Sequence, residues 1–114
     1  MGAKNIRRLL MGNTSSVTQG TTSGKATGVS ISTTSGQITT DDASLAGGAE
    51  ATFTVTNAEV KATSVIVLSI KSGGTSGSYI AAVSAVADGS FDIVLTNVSA
   101  GHLSEAVVIN FVVL

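Results

Sequence analysis

The chain has 114 residues, of which 16 are Ser, 15 are Thr and 13 are Gly, and it contains no Pro, Cys or Trp. Its formal charge of −1 gives no long-range attraction to nucleic acid or to an anionic membrane, so we expect neither as a partner. Without cysteine there is no disulfide, thiolate nucleophile or thiolate metal site. A hydrophobic share of 43% is too high for a solvated disordered chain and predicts one folded, soluble domain.

The first 13 residues differ in composition from the rest. Their basic side chains are Lys4, Arg7 and Arg8, and their apolar side chains at helical spacing are Ile6, Leu9 and Leu10. Residues at i, i+3 and i+4 share one face of a helical turn, but so short a helix is marginal unless it lies against a surface. We therefore predict an N-terminal arm at residues 1–13 and a β domain at residues 14–114. A frayed terminus is the alternative.

The Ser/Thr/Gly-rich stretch that follows carries weak strand signals. Val17, Val29 and Ile31 interrupt it at strand-like spacing, and its many Thr residues favour a pleated, half-exposed surface. The predicted segments are edge strands near Ser16–Gln19 and Lys25–Ser32 and a short strand at Gln37–Thr40.

Stronger strand patterns begin at residue 50. Ala51–Asn57 alternates apolar residues with Thr, which predicts a strand with one buried face. Ser64–Ile70 is a continuous β-branched run, which predicts a central strand covered on both faces. The Gly-rich segment Lys71–Gly77 then predicts a turn.

The last third of the chain predicts a hairpin and a terminal strand. Asp88-Gly89 between the apolar segments Ser78–Ala85 and Ser90–Thr96 is a strong hairpin signal. Ala106–Leu114 is apolar to its last residue, so we expect it to pair within a sheet. Two segments also resemble each other, because each is a strand that ends in Thr-Asn and is followed by a loop and an apolar strand. They begin with Phe53–Asn57 and Phe91–Asn97.

Seven or eight short strands with Gly-rich turns and almost no helical periodicity predict an all-β fold. The expected architecture is an antiparallel β-sandwich or a jelly-roll-like barrel with an N-terminal arm. The order of the strands does not follow from the sequence.

Catalytic signals are weak. A hydrolytic triad of Ser104, His102 and Asp92 can be written down, but no Ser lies in the G-x-S-x-G sequence that exposes a nucleophile. We interpret His102 as a loop residue and predict no enzymatic activity and no catalytic residues.

The remaining polar motifs have simpler explanations than ligand binding. Asp41-Asp42 lacks the spaced acidic residues of a calcium loop, so an Asx turn or a capping role is favoured over a metal site. Ser72–Gly77 lacks the Lys-Ser/Thr ending of a phosphate loop. Asn13-Thr14-Ser15 and Asn97-Val98-Ser99 match glycosylation acceptors, which matter only on a secreted chain. We expect no metal and no cofactor.

Several segments together resemble a small all-β domain of tailed-bacteriophage virion proteins. The resemblance covers Ser15 to Leu114 and is carried by these segments: Ser16–Gln19, Gly24–Val29, Ser35–Thr39, Phe53–Asn57, Gly89–Ile93 and Leu103–Phe111. The chain looks like the cement or decoration proteins on the outside of phage capsids, and similar domains occur in phage fibres and appendages.

The resemblance implies a structural protein of the virion on the outer capsid surface. It implies a homotrimer whose partner is the major capsid protein at capsomer junctions. The family that the chain resembles has no catalytic residues. A protein that binds only the assembled shell stabilises that shell by mass action, and three arms on one trimer strengthen the binding. From composition alone, we expect Ile6, Leu9 and Leu10 to be apolar capsid contacts and Lys4, Arg7 and Arg8 to meet acidic capsid surface.

The alternative is a fibre or appendage tip that binds a host-surface receptor. In that case the Ser/Thr/Gly loops would contact a cell-surface glycan. A chain with no long stalk is poorly built to reach a host, which favours the decoration reading.

Overall fold

A computed structural model describes residues 15–114, which form a β-sandwich. Its eight strands are β1 (Ser16–Thr18), β2 (Val29–Ser30), β3 (Ser35–Thr39), β4 (Glu50–Thr56), β5 (Ile66–Gly73), β6 (Tyr79–Ala87), β7 (Ser90–Asn97) and β8 (Val107–Val113). A short 3-10 helix, Gly24–Ala26, precedes β2. Among the described residues no helix is long and apolar enough to cross a membrane.

The strands form two four-stranded sheets with the same pattern. Sheet A has the order β1-β3-β8-β5, and sheet B has the order β2-β4-β7-β6. In each sheet the short first strand runs parallel to its neighbour, whereas the other pairings are antiparallel. The sandwich prediction is therefore confirmed, but the sheets are mixed rather than purely antiparallel, and two open sheets give no support to a jelly-roll-like barrel.

The core lies between the sheets and is built by strict alternation. In β7 the fully buried residues Phe91, Ile93 and Leu95 point inward from sheet B, and in β8 Ile109 and Phe111 do so from sheet A. The rings of Phe91 and Phe111 meet across the sandwich with centroids 5.7 Å apart, within the range of favourable aromatic pairs. The apolar C-terminal segment is thus paired within a sheet, as the sequence predicted, and β8 lies between β3 and β5.

Two strand predictions are wrong in part. Ser64–Ile70 was expected in the centre of a sheet, but β5 is an edge strand that pairs with β8 alone among the described strands, and most of its residues are exposed. The predicted strand Lys25–Ser32 is shorter in the structure, where β2 spans only Val29–Ser30. Lys25 lies in the 3-10 helix instead of in a strand. The predicted arm, residues 1–13, lies outside the described residues.

The two Thr-Asn pairs, at the ends of β4 and β7, have the same structural role. Asn57 and Asn97 are fully buried. Each Oδ1 accepts a 2.9 Å hydrogen bond from the backbone N–H two residues later, which forms an Asx turn. Each Nδ2 donates 2.8 Å bonds to loop carbonyls, from Asn57 to Thr33 and from Asn97 to Leu45 and Gly101. The repeated sequence therefore closes two strand ends with the same hydrogen-bond chemistry.

Candidate interaction surface

The two lateral sides of the sandwich end in strands of different length. The closed side is formed by the short strands β1 and β2, and the open side by the long strands β5 and β6. Short edge strands offer few unpaired backbone groups to another chain, whereas long edge strands offer many. The open side is therefore where we place a candidate interaction surface.

A cluster of two buried polar side chains, Gln19 and Lys25, stabilises the closed side. The Gln19 amide donates to the carbonyls of Lys25 at 2.9 Å and Thr27 at 2.8 Å, and its Oε1 accepts from the Asp41 N–H at 2.8 Å. The Lys25 ammonium donates to the carbonyl oxygens of Asp41, Ala43 and Glu105. This Gln19–Lys25 cluster ties three separate stretches of chain together.

The pKa of Lys25 reflects two opposing influences. Burial of the ammonium lowers the pKa, and the negative charges of Asp41, Asp42 and Glu105 partly offset that effect. A buried ammonium is tolerated because its three donors are matched by three carbonyl acceptors. Lys25 is therefore a structural cation, and nothing in its surroundings leaves it available to a ligand.

The open side exposes large apolar side chains. Val65 is 60% exposed, Val67 49% and Ile80 56%. Lys71 is the only charged residue between Ser64 and Ala87. Scattered apolar residues on a surface are ordinary, whereas a contiguous group of them indicates a contact surface.

Strand register places Val65 and Val67 beside two residues at the C-terminus, and the four form an apolar patch on the outer face of sheet A. Val67 lies opposite Val112, and Val65 exchanges backbone hydrogen bonds of 3.2 and 2.8 Å with Leu114. The alternating residues Ile66 and Val113 point into the core, so all four point outward. Leu114 is 62% exposed. We call this set, Val65, Val67, Val112 and Leu114, the sheet A patch.

A pocket of about 410 Å³ lies at the loop that joins β5 to β6. It is lined by residues 70–73 of β5, by the loop residues 74–77 and by Tyr79 of β6. The Tyr79 hydroxyl is buried and is the one buried side-chain polar atom in the described residues that lacks a hydrogen-bond partner. Burial raises the pKa of Tyr79, and the charge of Glu105 adds to this. Gly74 lies so close to the Tyr79 ring that a Cβ there would be 2.8 Å from Cε2.

The residues of the hypothetical triad are not brought together. Asp92 lies near the start of β7 and accepts a 2.7 Å hydrogen bond from Thr54 Oγ1. His102 is exposed in the loop after the other end of β7, where the preceding Gly101 is bonded to Asn97. Ser104 is exposed in the same loop. His102 is thus a loop residue, as its sequence context indicated.

The other polar motifs are structural in this part of the chain. Asp41 Oδ2 accepts a 3.1 Å bond from the Ala43 N–H, which is the Asx turn that the sequence favoured. No group of three His, Cys, Asp or Glu residues within 15–114 could hold a metal ion. Asn97 lies in an acceptor sequence for glycosylation, but its amide is buried and fully bonded, so it is inaccessible in the folded domain.

No protein-family model, curated protein or solved structure matches the chain.

The predicted capsid-contact residues of the arm lie outside the described residues. They are Lys4, Ile6, Arg7, Arg8, Leu9 and Leu10. Sequence reasoning missed the sheet A patch, because it assigned the apolar run at Ser64–Ile70 to the interior. The near absence of charge from Ser64 to Ala87 was the signal that could have indicated a contact surface.

Proposed function

We propose that this chain is a structural attachment module that decorates the outer surface of a bacteriophage capsid. It binds the major capsid protein at capsomer junctions and stabilises the assembled head without catalysing a reaction. The observation that supports attachment is the sheet A patch, in which Val65, Val67 and Leu114 are exposed and Val112 is half-buried beside Val67. The phage assignment comes from the sequence resemblance.

Apolar burial supplies the free energy for such binding. Removing apolar surface from water contributes about 25 cal/mol per Å², so even a small patch adds measurable affinity. Charged residues would lose hydration at an interface core, and the patch has none. A flat, uncharged, preorganised surface fits a protein partner better than a charged ligand.

The arm provides the second contact in this proposal. Ser15 directly precedes β1, which lies on the closed side, whereas the sheet A patch lies beside the open side. Two linked weak contacts bind more tightly than either alone when both can engage at once.

The test is co-sedimentation of the full chain with expanded phage shells that lack a decoration protein. Saturable binding that raises the heat resistance of the shells supports the proposal. Val67→Asp in the sheet A patch and the triple change of Ile6, Leu9 and Leu10 to Asp should each weaken binding at least tenfold. The matched control is Thr52→Asp on the exposed face of sheet B, which should bind like wild type.

A receptor-binding tip of a fibre or appendage is the second candidate. The observation that favours it is the pocket at the β5–β6 loop, whose Gly, Ser and Thr residues could hydrogen-bond a host-surface glycan. The same sedimentation test on host cells separates the two functions. Binding to cells and not to shells would contradict the decoration proposal.

A further inference from the structure

One side of strand β6 has no neighbouring strand among the described residues. The Ser78 carbonyl accepts a 2.8 Å hydrogen bond from the Val98 N–H and so faces the β7 side, whereas the Ser78 N–H donates at 3.1 Å to the Thr75 carbonyl in the loop. Backbone groups alternate in direction along an antiparallel strand, so those of Ile80 and Ala82 also face β7. The N–H and C=O groups of Tyr79, Ala81 and Val83 therefore point to the free edge.

The Asn97 N–H confirms this assignment from the other strand. Asn97 lies opposite Tyr79, but its N–H donates at 2.9 Å to Ala49, on the far side of β7. Among the described strands β7 is the one neighbour of β6. The regular part of the edge ends at an irregularity between Val83 and Ala85, which leaves the five residues Tyr79–Val83 as a straight segment.

We propose that this segment pairs with the same segment of a second copy of the chain. The two β6 strands run antiparallel about a two-fold axis at Ala81, and the two B sheets become one continuous sheet. In this register Ala81 faces Ala81 of the second copy, and Tyr79 faces its Val83. These are the residues whose backbone groups are free, so each facing pair exchanges two hydrogen bonds.

Side-chain size and charge favour a second copy as the occupant. On the outer face the register places Ile80, which is 56% exposed, against the small Ala82 of the second copy. A two-fold axis also brings like residues together, so any charge near it would meet its own sign. Strand β6 contains no charged residue, and the chain carries a net charge of only −1. Within the described strands, pairing of two β6 strands therefore brings no like charges of β6 together.

The other edges of the sandwich are less suited to pairing. Strand β5 carries Lys71 at its own irregularity, and like charges there would repel in a symmetric pair. On the closed side β1 has three residues and β2 has two, too few for a stable ladder. One pairing edge per copy gives a closed dimer rather than a fibre, and this dimer differs from the homotrimer that the sequence resemblance implies.

Ala81→Pro tests the pairing directly. Proline removes an N–H that faces the free edge, so the bonds between β6 and β7 remain intact, while the central bonds between copies are lost. Ile80→Lys is the second variant, because it adds a charge beside the two-fold axis at an exposed position that the monomer tolerates. Thr52→Lys, on the same outer face but in β4, is the matched control.

The measurement is sedimentation equilibrium of the full chain across a range of concentrations, with circular dichroism to verify folding. We expect a monomer–dimer equilibrium in wild type and in Thr52→Lys, and a dissociation constant at least tenfold higher in Ala81→Pro and Ile80→Lys. A monomer at all concentrations, a dimer unaffected by Ile80→Lys, or a trimer would overturn the pairing. Shell binding by a monomeric Ile80→Lys variant would leave the proposed function intact, so the two proposals fail separately.

Discussion

The closed and open sides of the sandwich show two ways of ending a sheet. On the closed side the last strands have three and two residues, and the Gln19–Lys25 cluster bonds the adjoining loops to the domain. On the open side strands of eight and nine residues end the sheets and expose Val67 and Ile80. On the closed side, polar groups are hydrogen-bonded within the domain. On the open side, backbone groups at the strand edges and apolar side chains remain accessible. The bonds that stabilise the fold and the surface that we propose for binding thus lie on opposite sides.

The largest effect is expected from Lys25→Met on the closed side. This change keeps the apolar stem but leaves the carbonyls of Asp41, Ala43 and Glu105 without their donor. We expect the free energy of unfolding to fall by about 3 kcal/mol. Chemical denaturation measures it, with exposed Lys61→Met as the control that should stay within about 0.5 kcal/mol of wild type. Equal stability of Lys25→Met and wild type would mean that burying the ammonium costs as much as its bonds contribute.

A smaller loss is expected from Gln19→Leu. The side chain is similar in volume but loses two donated bonds and one accepted bond, all to backbone groups. We expect a decrease of about 2 kcal/mol in the free energy of unfolding. Hydrogen exchange should become faster at the Asp41 amide, whose acceptor is removed. Unchanged exchange there would contradict the assigned role of the Gln19 amide.

On the open side, Tyr79→Phe should leave stability unchanged or raise it by up to about 1 kcal/mol, because the buried hydroxyl has no partner.

The variant also tests pH dependence. Burial raises the folded-state pKa of Tyr79 above its ordinary value of 10.0, so the phenol ionises less readily in the folded state than in the unfolded state. Stability is therefore fully present below pH 10 and is lost as pH rises through the folded pKa. Above pH 10 wild type should therefore lose stability more steeply than Tyr79→Phe. Parallel curves would contradict the shift.

The smallest effect on stability is expected from Val67→Lys in the sheet A patch. The side chain is 49% exposed, so the free energy of unfolding should change by no more than about 0.5 kcal/mol. Binding of apolar-surface dyes should decrease at the same time. A loss of several kcal/mol would show that the patch belongs to the core and would remove the contrast between the two sides.

Sequence patterns predicted most of the strands, but not which strands form the edges. The run Val65–Ile70 has the composition of an interior strand, yet Val65 and Val67 are exposed, because alternate side chains of a strand point to opposite faces of its sheet. The position of β5 at the sheet edge was not predicted either. A continuous apolar run does not distinguish a strand covered on both faces from an edge strand with an apolar contact surface. The role of Lys25 was equally hidden, because its three acceptors come from segments up to 80 residues away.

The sequence by itself determined the local features of this protein. Alternation in Ala51–Asn57 and Phe91–Asn97 determined which residues are buried, Asp88-Gly89 determined the hairpin, and two Thr-Asn endings determined the Asx turns. These features depend on residues close together in the chain. Only the tertiary structure decided the strand order, the closed and open sides, and the sheet A patch. Those depend on pairings between distant segments, such as β3 with β8, which no local pattern specifies.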